Sequence, residues 1–398
     1  MIATRRPVAV VAGYSVRFPL AGMTWVTLHH LLGLRALGFD PVYVEAALWP
    51  ESCYDPDLDA MTEEPATGVA HLRRAARWVG LDDLPIWYVT DDGRDAGMSR
   101  DEAEALLARA EVLVNVGAST WHPAWAAVPC RILLDCDAPF TQIAIAEGVE
   151  PLSGIARNHD VWATLAGNVA AGRCPDVPLD RPWVAARPPV HTAAWAPSPL
   201  PAGGAWTTVT SWGSTARREW RGTLLGNKAD GYERVLDLPA RTDATLELAV
   251  ASDAPTEDLL RRGWRVVDPV PPTHDVWDLV GYVQGSRGEL AVAKDAYRTV
   301  RTGAMNDRSL AYLAVGRPVV ATDTGLGDVE GMPEPGAGLL LADGPEATAR
   351  AIAAVEADPV HHAAAARRLA EEHFEAARVL GALLAEAGVR LPVPEVAP

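Results

Sequence analysis

The residues between Arg301 and Gly327 combine hydroxyl, carboxylate and guanidinium groups at the ends of a short amphipathic pattern. The run RTGAMNDRSLAYLAVGRPVVATDTGLG predicts a loop, a helix from about Asp307 to Val315, a buried strand over 317–322 and a second small-residue loop. A helix N-terminus beside a polar loop at the carboxyl end of a strand offers free N–H groups to an anion. We therefore expect a diphosphate site formed by Thr302, Gly303, Asp307, Arg308, Ser309, Asp323, Thr324 and Gly325.

Two charged side chains open the predicted helix. The guanidinium of Arg308 can bind two phosphate oxygens. The alternative is that Arg308 is an ordinary surface residue. Asp307 has two interpretations, a helix cap or a ligand for ribose hydroxyls, and both stay open. Further polar groups upstream, Ser286 and Lys294, suit the wall of the same pocket or a solvated surface. Lys228 in LLGNK is a candidate second cation for the phosphates, although a lone lysine is usually a surface residue.

Carboxylates and imidazoles in the N-terminal half supply candidate bases. Asp135 and Asp137 in LLDCDAPFTQ follow a predicted strand, where they can hold a metal, cap the next turn or remove a proton from an acceptor. D-x-D is a short pattern with many accidental matches, so it is weak evidence for a metal site. We therefore favour proton removal by Asp137. His29 in the first helix and Glu45 at the end of the second strand are further candidates, although a helical histidine is more often a packing residue.

The loop after the first predicted strand, GYSVRFPLAGM, contains Gly13, Gly22 and Met23, which can let a ligand approach the backbone. The pattern is not G-x-G-x-x-G, so no nicotinamide cofactor is expected. No other cofactor is expected either. Several of the tryptophans, Trp49 among them, fall in predicted loops and can stack on a sugar or an aromatic acceptor.

Two βαβ series position these groups. A chain of 398 residues suits two domains. Strand and helix patterns alternate on both sides of a proline- and glycine-rich stretch at 182–204, which we interpret as the linker. We expect an N-terminal domain over 1–195, a C-terminal domain over 205–375 and a last helix over 376–398.

Composition excludes several classes of partner. The formal charge of −17 argues against a nucleic-acid backbone as ligand. The N-terminal apolar run is too short for a signal segment or a membrane span. The four cysteines have neither CxxC nor metal-ligand spacing, which favours reduced thiols and a cytoplasmic protein.

The segment AYLAVGRPVV keeps Gly316, Pro318 and Val319 of the pattern E-A-x-x-x-G-x-P-V-V. It resembles the donor segment of GT-B glycosyltransferases, which have two Rossmann-like domains facing a cleft, and in particular a bacterial group related to GT4-type enzymes. Ala311 stands where that family has a ribose-binding glutamate. Gly303 stands eight residues earlier, where the family has a second glutamate or a histidine.

This resemblance implies an α/β, GT-B enzyme that moves a sugar from a UDP- or dTDP-linked donor to a small-molecule or natural-product acceptor. It implies that 1–195 is the acceptor domain, that 205–375 is the donor domain and that the last helix, 376–398, packs on the N-terminal domain. The helix dipole and Arg308 would stabilise the departing diphosphate, so we expect no need for a metal. Without an E-x7-E pair we expect an inverting reaction. A silent sugar-nucleotide-binding partner protein and a GT-B epimerase are the alternatives, and a homodimer is one possible assembly. The resemblance also adds donor-site residues at two strand ends, Ser211, Trp212 and Gly213 after one and Val267 and Asp268 after the other.

Overall fold

The computed structural model describes residues 6–213, 216–251 and 253–392, which form two compact units. Unit 1 comprises the described residues of Met1–Leu165, Pro178–His191 and Glu375–Pro398. Unit 2 comprises those of Ala166–Val177 and Thr192–Phe374. The segment 166–177, which the sequence assigned to the first domain, thus groups with the second.

Unit 1 is built on a sheet with the order β10-β9-β8-β7-β1-β2-β5-β6. Its neighbouring strands run parallel except for β6, which is antiparallel to β5. The central strand β1 is buried along its whole length, as its VAVVA sequence requires between two layers of helices. The strands are β1 Val8–Ala12, β2 Asp40–Ala46, β5 Ile86–Val89, β6 Asp95–Gly97, β7 Ala110–Val116, β8 Arg131–Asp135, β9 Val161–Thr164 and β10 Val184–Ala185, with a hairpin of β3 Cys53–Asp55 and β4 Ala60–Thr62.

The longest helix of unit 1, α1, packs against the last helix of the chain, α15. Gly33 of α1 makes this approach close, because a Cβ there would lie 2.7 Å from Leu380 Cδ1 and 3.0 Å from the backbone carbon of Ala376. The helices of this unit are α1 Ala21–Ala36, α2 Ala66–Trp78, α3 Arg100–Leu107, α4 Phe140–Ala146, α5 Leu152–Arg157 and α15 Ala376–Glu386.

Unit 2 contains a parallel sheet with the order β15-β14-β11-β16-β17-β18. Counted along the chain this is the order 3-2-1-4-5-6 of a Rossmann fold, whose switch point lies between β11 and β16. The strands are β11 Trp206–Ser211, β14 Leu246–Ala251, β15 Arg265–Val267, β16 Gly288–Ala291, β17 Val319–Thr322 and β18 Leu339–Ala342, with a hairpin of β12 Arg218–Trp220 and β13 Thr223–Leu225.

Helices and a large aromatic cluster cover this second sheet. Trp206, Trp212, Tyr232 and Trp264 are all buried in its core. The helices are α6 Gly167–Ala170, α7 Lys228–Glu233, α8 Thr256–Arg261, α9 Val270–Thr273, α10 Val276–Gly285, α11 Asp295–Val300, α12 Asp307–Ala314, α13 Pro345–Ala357 and α14 Pro359–Leu369.

Local sequence signals located these elements well. The helix predicted from Asp307 is α12. At the start of α3, Ser99 forms a capping box with Glu102, a pattern of residues three apart that marks a helix N-terminus. None of the four cysteines forms a disulfide. Among the described residues, no helix combines the length and the apolar character that crossing a bilayer requires.

The close approach of α1 and α15 yields a stability prediction. We expect Gly33→Ala to destabilise the protein by about 1–3 kcal/mol, because overpacking outweighs the helix propensity of alanine, worth about 1 kcal/mol. Gly22→Ala in the same helix is the control, since no atom lies within 4 Å of its added Cβ. Urea denaturation measures both, and an unfolding midpoint of Gly33→Ala at or above that of the parent would contradict the packing.

Candidate functional site

Charged residues gather at the carboxyl edge of the unit 2 sheet. The helices α7 and α12 begin there with Lys228 and Asp307, and Lys294 precedes α11. Lys228 interacts electrostatically with Lys294, Asp307 and Arg308, so these groups from three loops are close together. In open α/β sheets this edge, at the switch point, is where ligands bind.

The guanidinium of Arg308 is held from two sides within unit 2. Its Nε donates to Glu289 Oε1 at 2.8 Å, and its Nη1 donates to the Val209 carbonyl oxygen at 2.6 Å. Burial opposes the charge, but the carboxylate of Glu289 raises the pKa of Arg308 above its usual value. Two of the nitrogens that were expected to bind phosphate therefore bind the protein. Arg308 Nη2 is buried and has no hydrogen-bond partner among the described residues.

The ammonium of Lys228 is buried without a carboxylate partner at hydrogen-bond distance among the described residues. Its Nζ donates to the Val292 carbonyl oxygen at 2.9 Å, and the residue is 9% exposed. Burial and the cations Arg308 and Lys294 lower the pKa of Lys228 to about 7, although Glu289 and Asp307 act in the opposite direction. An anion bound beside Lys228 would favour its charged form.

The first turn of α12 shows one of the two roles considered for Asp307. Its Oδ1 accepts from the Arg308 backbone N–H at 2.8 Å, which is a local cap. Asn306 at the N-cap position makes no side-chain cap bond. The hydroxyl of Ser309 is buried without a hydrogen-bond partner among the described residues, and Ala311 is buried one turn later.

Asn168, which the sequence did not single out, joins the two polar loops. Its Nδ2 donates to the carbonyl oxygens of Arg301 and Gly325, each at 2.9 Å. Its backbone N–H donates to the Thr302 carbonyl oxygen at 3.1 Å. No local pattern marks this residue, because its partners lie more than 130 positions along the chain.

The glycines of these loops serve loop packing. Gly303 has a φ of +71°, and a Cβ there would lie 2.5 Å from Val329 Cγ2. Its N–H donates to the Thr324 carbonyl oxygen at 2.8 Å. Gly325 has a φ of +80° and donates its N–H to Asp323 Oδ1 at 2.8 Å. Both positions need left-handed backbone, which glycine adopts without strain.

Two predicted donor residues lie elsewhere. Ser286 precedes β16 and so stands at the amino edge, where its hydroxyl lies 2.6 Å from Thr207 Oγ1 and donates to the Tyr282 carbonyl oxygen. It was predicted from polarity alone, which does not distinguish the two ends of a strand. Trp212 is a core residue stacked on Tyr232, with ring centroids 5.0 Å apart.

The other strand-end residues are at the carboxyl edge. Ser211 ends β11 and Gly213 follows it. Val267 ends β15, the edge strand. Asp268 is exposed after it, and its Oδ1 accepts from the Val270 N–H at 2.9 Å at the start of α9.

In unit 1, Glu45 holds the loop between β1 and α1. Its carboxylate accepts the backbone N–H groups of Val16 at 2.8 Å and Arg17 at 3.0 Å, the Arg17 Nε at 2.8 Å and the Tyr43 hydroxyl. Burial raises its pKa, although Arg17 acts against this shift. A carboxylate occupied in this way organises the loop rather than taking a proton from an acceptor.

Asp135 is likewise an anchor. Both oxygens are bound, one by the Asp137 N–H at 2.8 Å and the other by Gln142 Nε2 at 2.8 Å and the Thr164 hydroxyl at 2.6 Å. Burial raises the pKa of Asp135. Asp137 lies just beyond it, half-buried at the start of the turn into α4.

His29 is a buried, neutral residue. Its Nδ1 accepts from the His191 backbone N–H at 3.0 Å, and its ring stacks on Trp25. Burial, with a smaller contribution from His30, lowers the pKa of His29 to about 3, so it would be a weak base at neutral pH.

The predicted glycine-rich segment after β1 is tightly packed at Gly13 and exposed at Gly22 and Met23. A Cβ at Gly13 would lie 3.2 Å from the Tyr43 ring, which explains the glycine by packing. Gly22 and Met23 are exposed in the first turn of α1, and Met23 is 40% exposed.

A pocket in unit 1 opens at the ends of β2 and β5. Trp49 lies on its wall with the Arg17 guanidinium 5.7 Å from its ring centroid, and Ser52 and Tyr88 also line the pocket. Because Arg17 is held by Glu45, the indole is supported on one side. Four acidic residues and one arginine also line the pocket, Glu51, Glu63, Asp91, Asp92 and Arg94.

Metal-binding potential is limited within the described residues. The set that could hold an ion is His274, Asp275 and Asp278, at the start of α10. Asp275 and Asp278 are engaged there in a capping box. Asp135 and Asp137 do not belong to a group of three or more such ligands among the described residues.

The comparisons with known proteins concern the fold. The sequence matches no protein-family model and no curated protein. Sucrose-phosphate synthase from Thermosynechococcus elongatus is similar in structure, with 14% identity, a TM-score of 0.56, and 96% of this chain and 99% of that chain covered. The chain has the GT-B fold.

Two further solved structures resemble this GT-B protein over its length. HepE of Anabaena in complex with UDP and glucose has 10% identity and a TM-score of 0.56, with 96% and 100% of the two chains covered. AviGT4, a glycosyltransferase involved in avilamycin A biosynthesis, has 12% identity and a TM-score of 0.51, with 96% and 97% covered. The two Rossmann-like units implied by the sequence resemblance are confirmed.

The bridging role of Asn168 in this GT-B protein is testable. We expect Asn168→Ala to lower the free energy of unfolding by about 1–3 kcal/mol, because two carbonyl groups lose the donor that joins the loops, a change of about 0.5–1.5 kcal/mol per hydrogen bond. Asn158→Ala is the control, since Asn158 makes one exposed hydrogen bond to a carbonyl, that of Gly154 in unit 1. Urea denaturation measures both variants, and an equal or smaller loss of stability in Asn168→Ala would show that the bridge does not matter.

Proposed function

We propose that this GT-B protein is a glycosyltransferase that uses a UDP- or dTDP-linked sugar. The observation that carries the proposal is the buried ammonium of Lys228 beside Arg308 at the switch point of unit 2. A buried cation without a carboxylate partner is unfavourable until an anion binds. The complexes of HepE with UDP, on the same fold, support a nucleoside diphosphate as that anion.

The chemistry follows from these charges. The bond from the anomeric carbon to the diphosphate breaks as the acceptor oxygen or nitrogen bonds to that carbon. Lys228 and the N-terminus of α12 stabilise the departing diphosphate, a role that needs no metal or cofactor. Asp137 takes the acceptor proton, as in an inverting displacement. His29 and Asp135 are less suitable bases, since both are buried and engaged.

We propose that the Trp49 pocket of unit 1 binds the acceptor. Its indole offers an apolar face to a sugar or aromatic ring. Arg94 Nε contacts both oxygens of Asp92, at 3.1 and 2.9 Å, which leaves Glu51, Glu63 and Asp91 as the excess charge. The pocket therefore favours a small neutral or cationic acceptor over an anionic one.

A silent sugar-nucleotide-binding protein is the second candidate. Ala311 supports it, because an alanine cannot bind the donor ribose as the family glutamate does. Hydrolysis of UDP-glucose or transfer to an acceptor would exclude this candidate, whereas tight UDP binding without turnover would favour it.

The donor site is tested with nucleotides. We expect UDP or dTDP to raise the melting temperature more than GDP or ADP, since a ligand stabilises the state that it binds. Lys228→Met should weaken that binding at least about tenfold, as expected for loss of a charged hydrogen bond. Arg234→Met, at the end of the same helix, is the control for net charge. If none of the four nucleotides raises the melting temperature, the donor-site assignment is wrong.

The acceptor pocket is tested with 4-nitrophenyl glycosides of glucose, glucosamine and glucuronic acid. We expect transfer to the neutral and cationic sugars and little to the glucuronide, which the acidic rim repels. Trp49→Ala should raise the acceptor KM about tenfold and leave UDP affinity unchanged. Trp78→Ala is the matched control, because both indoles are 45% exposed. An equal effect of the two substitutions would remove Trp49 from the acceptor site.

A further inference from the structure

Glu289 is a fully buried carboxylate in β16 that the proposed reaction does not use. We propose that Glu289 is a positioning residue of the donor site, which holds Arg308 against the sheet and favours the ammonium form of Lys228, so that diphosphate binding takes up a proton. This inference rests on the proposed function, because it concerns the same diphosphate.

Strand geometry places Glu289 beneath the site. It is opposite Thr207 of β11 on one side and Val319 of β17 on the other. Its Oε1 accepts from Arg308 Nε at 2.8 Å. Its Oε2 and the Nη2 of Arg308 are both buried without hydrogen-bond partners among the described residues. Such groups are costly unless their charges are balanced.

When Lys228 is protonated, the charges of this cluster sum to a positive value. Glu289 balances one of the two cations, Arg308 or Lys228, and an incoming diphosphate balances the other. Asp307 and Lys294, which also face Lys228 from α12 and from the start of α11, offset each other in sign. The net positive charge of the cluster therefore favours the binding of an anion.

A second buried glutamate, Glu247, has a purely structural role and serves as a comparison. Glu247 of β14 is opposite Thr207 on the other side, in the same row as Glu289. Its oxygens are paired, one with the Tyr282 hydroxyl at 2.8 Å and one with Arg265 Nε at 3.0 Å. The main charged groups that shift the pKa of Lys228 are instead Arg308, Lys294, Glu289 and Asp307.

Titration of Lys228 provides the readout. Its pKa is lowered to about 7, chiefly by burial and then by Arg308 and Lys294, while Glu289 raises it. At pH 8 the free site is therefore mostly neutral at Lys228. A bound diphosphate favours the ammonium form, so binding takes up to about one proton. The phosphates of UDP are already deprotonated at pH 8, with a second pKa of about 6.

The unaltered protein gives the first test. UDP and dTDP are titrated calorimetrically at pH 8 in two buffers of different ionisation enthalpy, and then from pH 6.5 to 9. We expect proton uptake and an affinity that falls above pH 7, approaching tenfold per pH unit. Binding without proton uptake overturns the inference alone. Absence of binding overturns the proposed function and the inference with it.

Glu289→Gln gives the second test, because its amide oxygen can still accept from Arg308 while the charge is lost. We expect UDP affinity at pH 7.5 to fall about tenfold and the pH at which affinity declines to move about one unit lower, as loss of a nearby carboxylate implies. Glu247→Gln is the matched control and should change affinity less than twofold. An unchanged pH profile in Glu289→Gln overturns the inference. If that variant does not fold, proton uptake by the unaltered protein still decides.

Discussion

The charges at the carboxyl edge of the unit 2 sheet are the constraint on which the proposed donor site depends. Lys228 is buried and the Arg308 side chain is 19% exposed at the switch point of that sheet, while the chain carries a formal charge of −17. Glu289 balances one of them. The parallel strand order makes this possible, because it brings the starts of α7 and α12 to one edge.

Unit 1 uses buried charge differently. The carboxylate oxygens of Glu45 and Asp135 accept hydrogen bonds from nearby backbone and side-chain donors, and burial raises the pKa of each residue. Their effect is to shape loops at the ends of strands. Through Arg17, Glu45 also supports the indole of Trp49. Asp137, the proposed base, lies half-buried next to Asp135.

Local patterns predicted most of the architecture. The buried run of β1, the capping box of α3 and the start of α12 were all readable, because each depends on residues close in sequence. The edge strand β18 and the short hairpins were not identified. The assignment of individual residues to the predicted site was less reliable. Ser286 lies at the amino edge of the sheet and Trp212 in the core.

The sequence by itself determined the α/β class, the GT-B resemblance and the loops that carry the charges, since hydrophobic period and turn residues act locally. Only the tertiary structure decided what each charged group does. It paired Arg308 with Glu289, buried Lys228, and joined two loops through Asn168 from a distant segment. The physical reason is that burial and partner choice are set by strand order and helix packing, which bring together residues that no local pattern relates.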